Sequence, residues 1–138
     1  MDSNSENVIR LLEMLAACNT KFIHHASLLE KQPEVKEATT RFECRRCGME
    51  TLIEGYVDAE LQSGKAVCWY LEVRWDANHT WLIDTRILIN HAGGQDTGHK
   101  FPDRMTSEFN EFLNNLQEAT EELISFDGVN LASIESSK

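Results

Sequence analysis

An α+β fold follows from three observations: a three- to four-stranded antiparallel meander, flanked by a long N-terminal helix and an amphipathic C-terminal helix packed on one face. Three consecutive segments between Glu50 and Asn90 alternate apolar and polar residues. Loops of hairpin length join those segments. On either side of them, apolar residues recur every three to four positions.

The chain opens with a helix expected over residues 5–31. Ser3 or Ser5 can cap it. Val8, Leu11, Leu12, Leu15, Ala16, Phe22, Ile23 and Ala26 form its apolar stripe, with Arg10, Lys21 and His24 opposite. Asn19-Thr20 is a candidate bend, and Pro33 marks the stop. Glu34–Ala38 is a charged connector. Thr39–Cys44 then offers a short fourth strand, which could pair back on Met49–Ile53 across Arg45-Arg46.

The centre is three strands. Thr51, Ile53, Val57, Ala59 and Leu61 share one parity, as do Val67, Trp69, Leu71, Val73 and Trp75, and then Trp81, Ile83, Thr85, Ile87 and Ile89. Gln62-Ser63-Gly64 is a three-residue hairpin loop with glycine last, where a left-handed residue is wanted. It pairs Leu61 with Lys65, and hence Ala59 with Val67 and Val57 with Trp69. The Asp76–Thr80 loop sets Trp75 beside Trp81 and Val73 beside Ile83. A slip of one residue would turn a whole strand over, so this agreement fixes the register. The other face mixes Tyr56, Tyr70, Leu82 and Leu88 with Glu54, Asp58, Glu72, Arg74, Asp84 and Arg86. It reads as a solvated surface with cross-strand ion pairs, with Glu72 opposite Asp84.

His91–Asp103 reads as a connecting loop. Its Gly93-x4-Gly98 spacing lacks the Lys-Ser/Thr of a phosphate-binding loop, and antiparallel strands precede it. The last helix begins near Pro102-Asp103, with Asp103 or Thr106 as cap. Phe109, Phe112, Leu113, Leu116, Ala119, Leu123 and Ile124 make its apolar face. Glu108, Glu111, Glu118, Glu121 and Glu122 make an acidic ridge opposite, with no Lys or Arg between Glu118 and Glu122. The sequence implies one domain over residues 1–138, with residues 1–4 and 127–138 as frayed tails.

Charge and cysteine usage bound the function. The 138 residues carry 13 basic and 23 acidic side chains, a net charge of −10. Residues 104–138 hold seven acids and two bases, so half of that charge (2 − 7 = −5) lies in the last quarter. Such a field opposes nucleic acid and anionic membranes and favours a basic partner. No basic leader precedes the first helix and no apolar run spans a membrane, which points to a cytoplasmic protein with reduced thiols. Cys44-x2-Cys47-Gly48 resembles half of a zinc-ribbon site, but a second ligand pair is missing. Cys18, Cys68, His79, His91 and His99 are scattered, and His24-His25 neighbour each other on a helix, where they diverge by about 100°. No cofactor is therefore expected, and no nucleophile elbow or oxyanion loop points to catalysis.

The function expected from sequence is that of a non-catalytic acidic protein-binding protein. In size, charge and layout the chain resembles both toxin-neutralising immunity proteins and small secretion chaperones; the first expectation is an immunity-type inhibitor that occludes the active site of a basic toxin nuclease. Glu108, Glu111, Glu118, Glu121 and Glu122 would make the contact, joined by Glu72, Asp84 and Tyr70. The alternative is a small chaperone or adaptor that binds an apolar peptide segment and possesses the means to dimerise through a helix or a sheet edge. A zinc module on Cys44 and Cys47 comes third.

Overall fold

The computed structural model describes residues 3–76, 78, 80–90 and 96–137. Helix α1 (Ser3–Glu30) precedes strands β1 (Val35–Cys47), β2 (Glu50–Leu61), β3 (Ala66–Trp75), β4 (Trp81–Asn90), β5 (Asp96–Lys100) and β6 (Arg104–Thr106), and helices α2 (Phe109–Ser125) and α3 (Leu131–Ser136) follow. The strands form one antiparallel sheet in the order β1-β2-β3-β4-β5, with β6 also paired to β4. The class is α+β, as the alternation predicts, but the sheet has six strands rather than three or four.

The central register is the expected one. Ala59 pairs with Val67, Val57 with Trp69, Val73 with Ile83, Trp75 with Trp81, and Glu72 with Asp84. Gly64 takes φ +92° at the end of its loop, a conformation that costs a residue with a Cβ. The fully buried Val57, Leu61, Val67, Leu71, Val73, Ile83 and Ile87 all lie on the face that α1 and α2 cover.

The edges differ from the expectation. β1 extends over the whole of 35–47, so Glu34–Ala38 is mostly strand; a bulge between Val35 and Glu37 absorbs the irregular pattern that reads as a connector. The β1–β2 reversal falls at Gly48-Met49, not at Arg45-Arg46, because Cys47 pairs with Glu50 and Gly48 takes φ +64°. β5 occupies part of the expected His91–Asp103 loop; residues 91–95, with His91, Gly93 and Gly94, lie outside the described residues, as does His79. β6 takes up Arg104–Thr106, so α2 starts at Phe109 rather than near Pro102.

α1 runs unbroken past Asn19-Thr20, since Thr20 turns its hydroxyl back to donate to the Ala16 carbonyl at 3.0 Å. α2 packs beside it through its buried Phe112, Leu113, Leu116, Ala119, Thr120 and Leu123. The Cys18 thiol meets the Thr120 hydroxyl at 3.2 Å between the two helices.

The expected tail over 127–138 contains α3. Asn130 caps it by accepting from the Ser133 amide, and Ile134 is buried. Buried Lys65, beside the β2–β3 turn, donates to the carbonyls of Ile134, Glu135 and Ser137, so a cation sits on the helix C-terminus. Lys65→Met is expected to fray α3 and cost about 1.5–3 kcal/mol, the range for charged hydrogen bonds. Faster amide exchange confined to residues 131–136 would check it. No described helix is long and apolar enough to cross a membrane.

Candidate functional site

The acidic ridge of α2 is exposed as expected, but most of it is engaged within the fold. Lys21 of α1 meets Glu121 at 2.8 Å and holds its carboxyl below the usual range. Arg104 of β6 reaches Glu118 at 2.7 Å and Glu122 at 3.3 Å. Glu111 accepts from the Thr106 hydroxyl at 3.1 Å. α2 itself carries no cation; Lys21 comes from α1, 100 residues from Glu121, and Arg104 from β6, which ends just before the helix. Glu108 stands just before α2, exposed like the rest.

The uncovered sheet face corrects the expectation of a simply solvated surface. Glu54, Glu72 and Asp84 are only 7%, 8% and 6% exposed, and each carries its own donors. The Tyr56 and Tyr70 hydroxyls both lie 2.8 Å from Glu54 Oε2, and Arg45 lies 3.0 Å from Glu54 Oε1. Tyr70 is also 2.8 Å from Glu72, and Arg74 donates to Glu72 at 2.8 Å. Arg86 meets Asp84 at 2.5 Å and Lys100 follows at 3.5 Å. Burial alone would raise the Glu54 carboxyl, but the tyrosine hydrogen bonds and the Arg45 charge outweigh it and hold it low. Asp84 is likewise lowered, because Arg86 and Lys100 outweigh its burial. Burial and the two carboxylates push the Tyr70 hydroxyl upward. Of the residues expected to meet a partner, Glu72, Asp84 and Tyr70 thus form one satisfied layer on the sheet, apart from the α2 ridge.

The thiols do not assemble. Cys44 and Cys47 are both in β1, three residues apart, and alternation places them on opposite faces of the strand. A zinc-ribbon pair needs both thiolates on one turn. Among the described residues no group of three or more His, Cys, Asp or Glu side chains is placed to hold a metal. Cys44 and Cys47 are exposed, whereas burial raises the pKa of Cys18 and Cys68. A maleimide reagent is therefore expected to modify Cys44 and Cys47 rapidly and the other two only on unfolding, with peptide mapping as the check.

His25 faces inward from α1. Its ring meets Trp69 edge-on at 4.7 Å, and Nε2 is buried with no hydrogen-bond partner among the described residues. Burial first, and then the neighbouring His24, lowers its pKa from 6.5. A histidine held neutral by the fold contributes stability that is present above its unfolded pKa and is lost as pH falls through 6.5. The thermal midpoint should fall over that window, and His25→Phe should flatten the fall.

One concave feature among the described residues was not foreseen. α1 is fully buried at Phe22, half-buried at Leu15 and Leu11, and largely exposed at Leu12 (59%) and Val8 (56%). The helix therefore lifts off the sheet toward its N-terminus and leaves a wedge-shaped apolar mouth of about 900 Å³. Val8, Leu11, Leu12 and Leu15 form its roof. Phe42, Cys44, Ile53 and Val73 form its floor, and Trp75, Trp81 and Phe109 its back wall. Trp75 and Trp81 stack at 5.1 Å, and Trp81 rests on Phe112 at 4.1 Å, so the wall is a continuous aromatic stack. Asn7, Asn19, Glu43 and Ser107 supply the polar points. In sequence, Val8, Leu12 and Ile23 read as part of the buried stripe; in the fold all three are exposed. The one available signal is the width of that stripe, broader than a single sheet contact needs.

Compared with protein-family models, curated protein sequences and solved structures, the chain matches none of them.

Proposed function

We propose that this is a non-catalytic binding protein that takes an apolar segment of a basic partner protein into the mouth between α1 and the sheet. The observation that carries this reading is the mouth itself, about 900 Å³ and walled by leucines, tryptophans and phenylalanines. A soluble chain rarely leaves that much contiguous apolar surface open without an occupant. Its size and lining suit a few anchoring side chains presented by a helix or an extended peptide. The net charge of −10 favours basic flanks on that peptide. This is the adaptor or chaperone reading of the sequence. The inhibitor reading ranks below it, because Glu118, Glu121 and Glu122 are already paired with Arg104 and Lys21.

Selection from a displayed random-peptide library tests the proposal. Enriched peptides should carry apolar anchors with lysine or arginine flanks and should change the tryptophan fluorescence contributed by Trp75 and Trp81. Leu12→Glu should abolish their binding, while added salt should weaken it only modestly. If the selected peptides are polar, bind Leu12→Glu as well as the parent, and dissociate steeply with salt, the contact belongs to the acidic ridge and the mouth reading is wrong.

A further inference from the structure

β1 is the terminal strand of the sheet, and its free edge faces away from β2. At one end that edge is closed, since the Glu30 carboxylate of α1 accepts from the Ala38 amide at 3.3 Å. Amides alternate in direction along a strand, so those of Thr40, Phe42 and Cys44 also point outward. The flank of α1 above this edge is apolar as well. At 100° per residue, Lys21 and Cys18 face α2 and Phe22 faces the sheet, which leaves Leu12 and Ile23 toward the flank away from α2. Ile23 is 52% exposed and adjoins Phe22, whose ring packs on Phe42 at 5.2 Å. An open edge and an apolar helix shoulder therefore meet at one place, around Phe42.

We propose that the occupant of this edge is a second copy of the chain, paired β1 to antiparallel β1 about a two-fold axis at Phe42. The charges of β1 select that register. Arg41 and Glu43 already meet on their own strand at 3.3 Å, and with the axis at Phe42 each also lies opposite the other's counterpart in the second copy, which joins the two exposed pairs into one four-residue network on the uncovered face. Thr40 faces Cys44, Thr39 faces Arg45, and Phe42 faces Phe42, each ring turned back over its own Gly55 and Phe22. No like charges oppose each other. Moving the axis to Arg41 or Glu43 sets that residue against itself, and an axis at Thr40 opposes Glu37 to Glu43. An axis at Thr39 carries the partner strand into the bulge at Lys36. One at Cys44 opposes Glu43 to Arg45, but it draws Arg45 from Glu54, which it meets at 3.0 Å, and moves the pairing away from Ile23. The Phe42 register joins outward amides over Thr40–Cys44, three residue pairs with two bonds each.

The helices fit the same axis. α1 lies over β1 and β2. With strands about 4.8 Å apart, the two copies of α1 would run about 10 Å apart, a normal packing distance. The contact borders the apolar mouth: Phe42, Glu43 and Cys44 belong to both, while Val8, Trp75, Trp81 and Phe109 lie on the mouth alone. The self-association involves no ligand in the mouth, so its test is separate from that of the proposed function.

Analytical ultracentrifugation of the full chain tests this. The parent should sediment as a dimer of twice 15.8 kDa. Arg41→Glu alone, and Glu43→Arg alone, should weaken the dimer about tenfold or more, since each sets like charges opposite each other at two symmetric points. The double exchange Arg41→Glu with Glu43→Arg should restore it. Ile23→Glu should dissociate it through the helix contact. Far-ultraviolet circular dichroism establishes that each variant is folded. A parent that stays monomeric from micromolar to millimolar concentration overturns the proposal. So does a dimer that is indifferent to both Arg41→Glu and Ile23→Glu, or one that the double exchange fails to rescue.

Discussion

Phe22→Ala should unfold the protein at markedly lower urea, with a loss of about 3–5 kcal/mol, the range for deleting a fully buried aromatic ring. Typical domains hold only about 5–15 kcal/mol in total, so the variant would sit near the edge of folding. The cost is high because Phe22 has no exposed surface and is wedged between two neighbours that cannot collapse into its place. Its ring meets Phe42 at 5.2 Å and crowds Gly55, where an added Cβ would lie 3.1 Å from it and 2.7 Å from Phe42. Gly55 is glycine because two phenylalanines occupy the space above it.

Leu12→Glu, ten residues earlier on the same helix, should change stability by no more than about 0.5 kcal/mol, as surface substitutions do. Urea midpoints for the two variants would measure the taper along α1 directly. Equal losses would mean that the N-terminal half of α1 closes onto the sheet in solution, and the mouth would then not exist. A small effect at Leu12 together with a large one at Phe22 separates the residues that hold α1 down from those free to hold a partner.

The sequence made the centre of the fold legible because two constraints coincide there. Period-two apolar alternation fixes which face is buried, and loop length fixes which residues pair. Neither constraint operates in β1, where Lys36, Glu37, Arg41, Glu43, Arg45 and Arg46 break the apolar rhythm on an edge strand covered only in part. Gly48 did mark its turn, but two arginines just before it read more easily as a loop. α3 was legible in principle from the capping spacing of Asn130 and Ser133; its anchor, Lys65, lies far back in the chain. Distance along the chain also hid one cation of the acidic ridge, since Lys21 and Glu121 are 100 residues apart. The mouth was illegible for a different reason. Periodicity tells which side of a helix is apolar, not how far the helix stands from the sheet beneath it.

Tyr70→Phe should cost about 1–3 kcal/mol, the range for leaving a buried polar group without its partner. The substitution removes one oxygen and little volume, so packing loss contributes little. What it removes is the hydroxyl that lies 2.8 Å from Glu54 and 2.8 Å from Glu72. A phenol carries one hydrogen, so this hydroxyl serves the two carboxylates in turn, and without it two buried acids face each other across adjacent strands. Arg45 and Arg74 approach them from the solvent side, but each is well exposed and screened. The effect on acid stability has a definite sign. The folded Glu54 carboxyl is held below its ordinary 4.5, so it contributes stability that is present above 4.5 and is lost as pH falls through its folded value. Losing the Tyr70 bond raises that folded value toward the unfolded one, and the variant should unfold at higher pH than the parent. Tyr56→Phe removes a second donor from Glu54 Oε2 but leaves Glu72 untouched, so its penalty should be the smaller of the two. Acid titrations followed by circular dichroism would rank them. If both variants match the parent, the carboxylates on this face are solvated after all, and the layer contributes nothing to the fold.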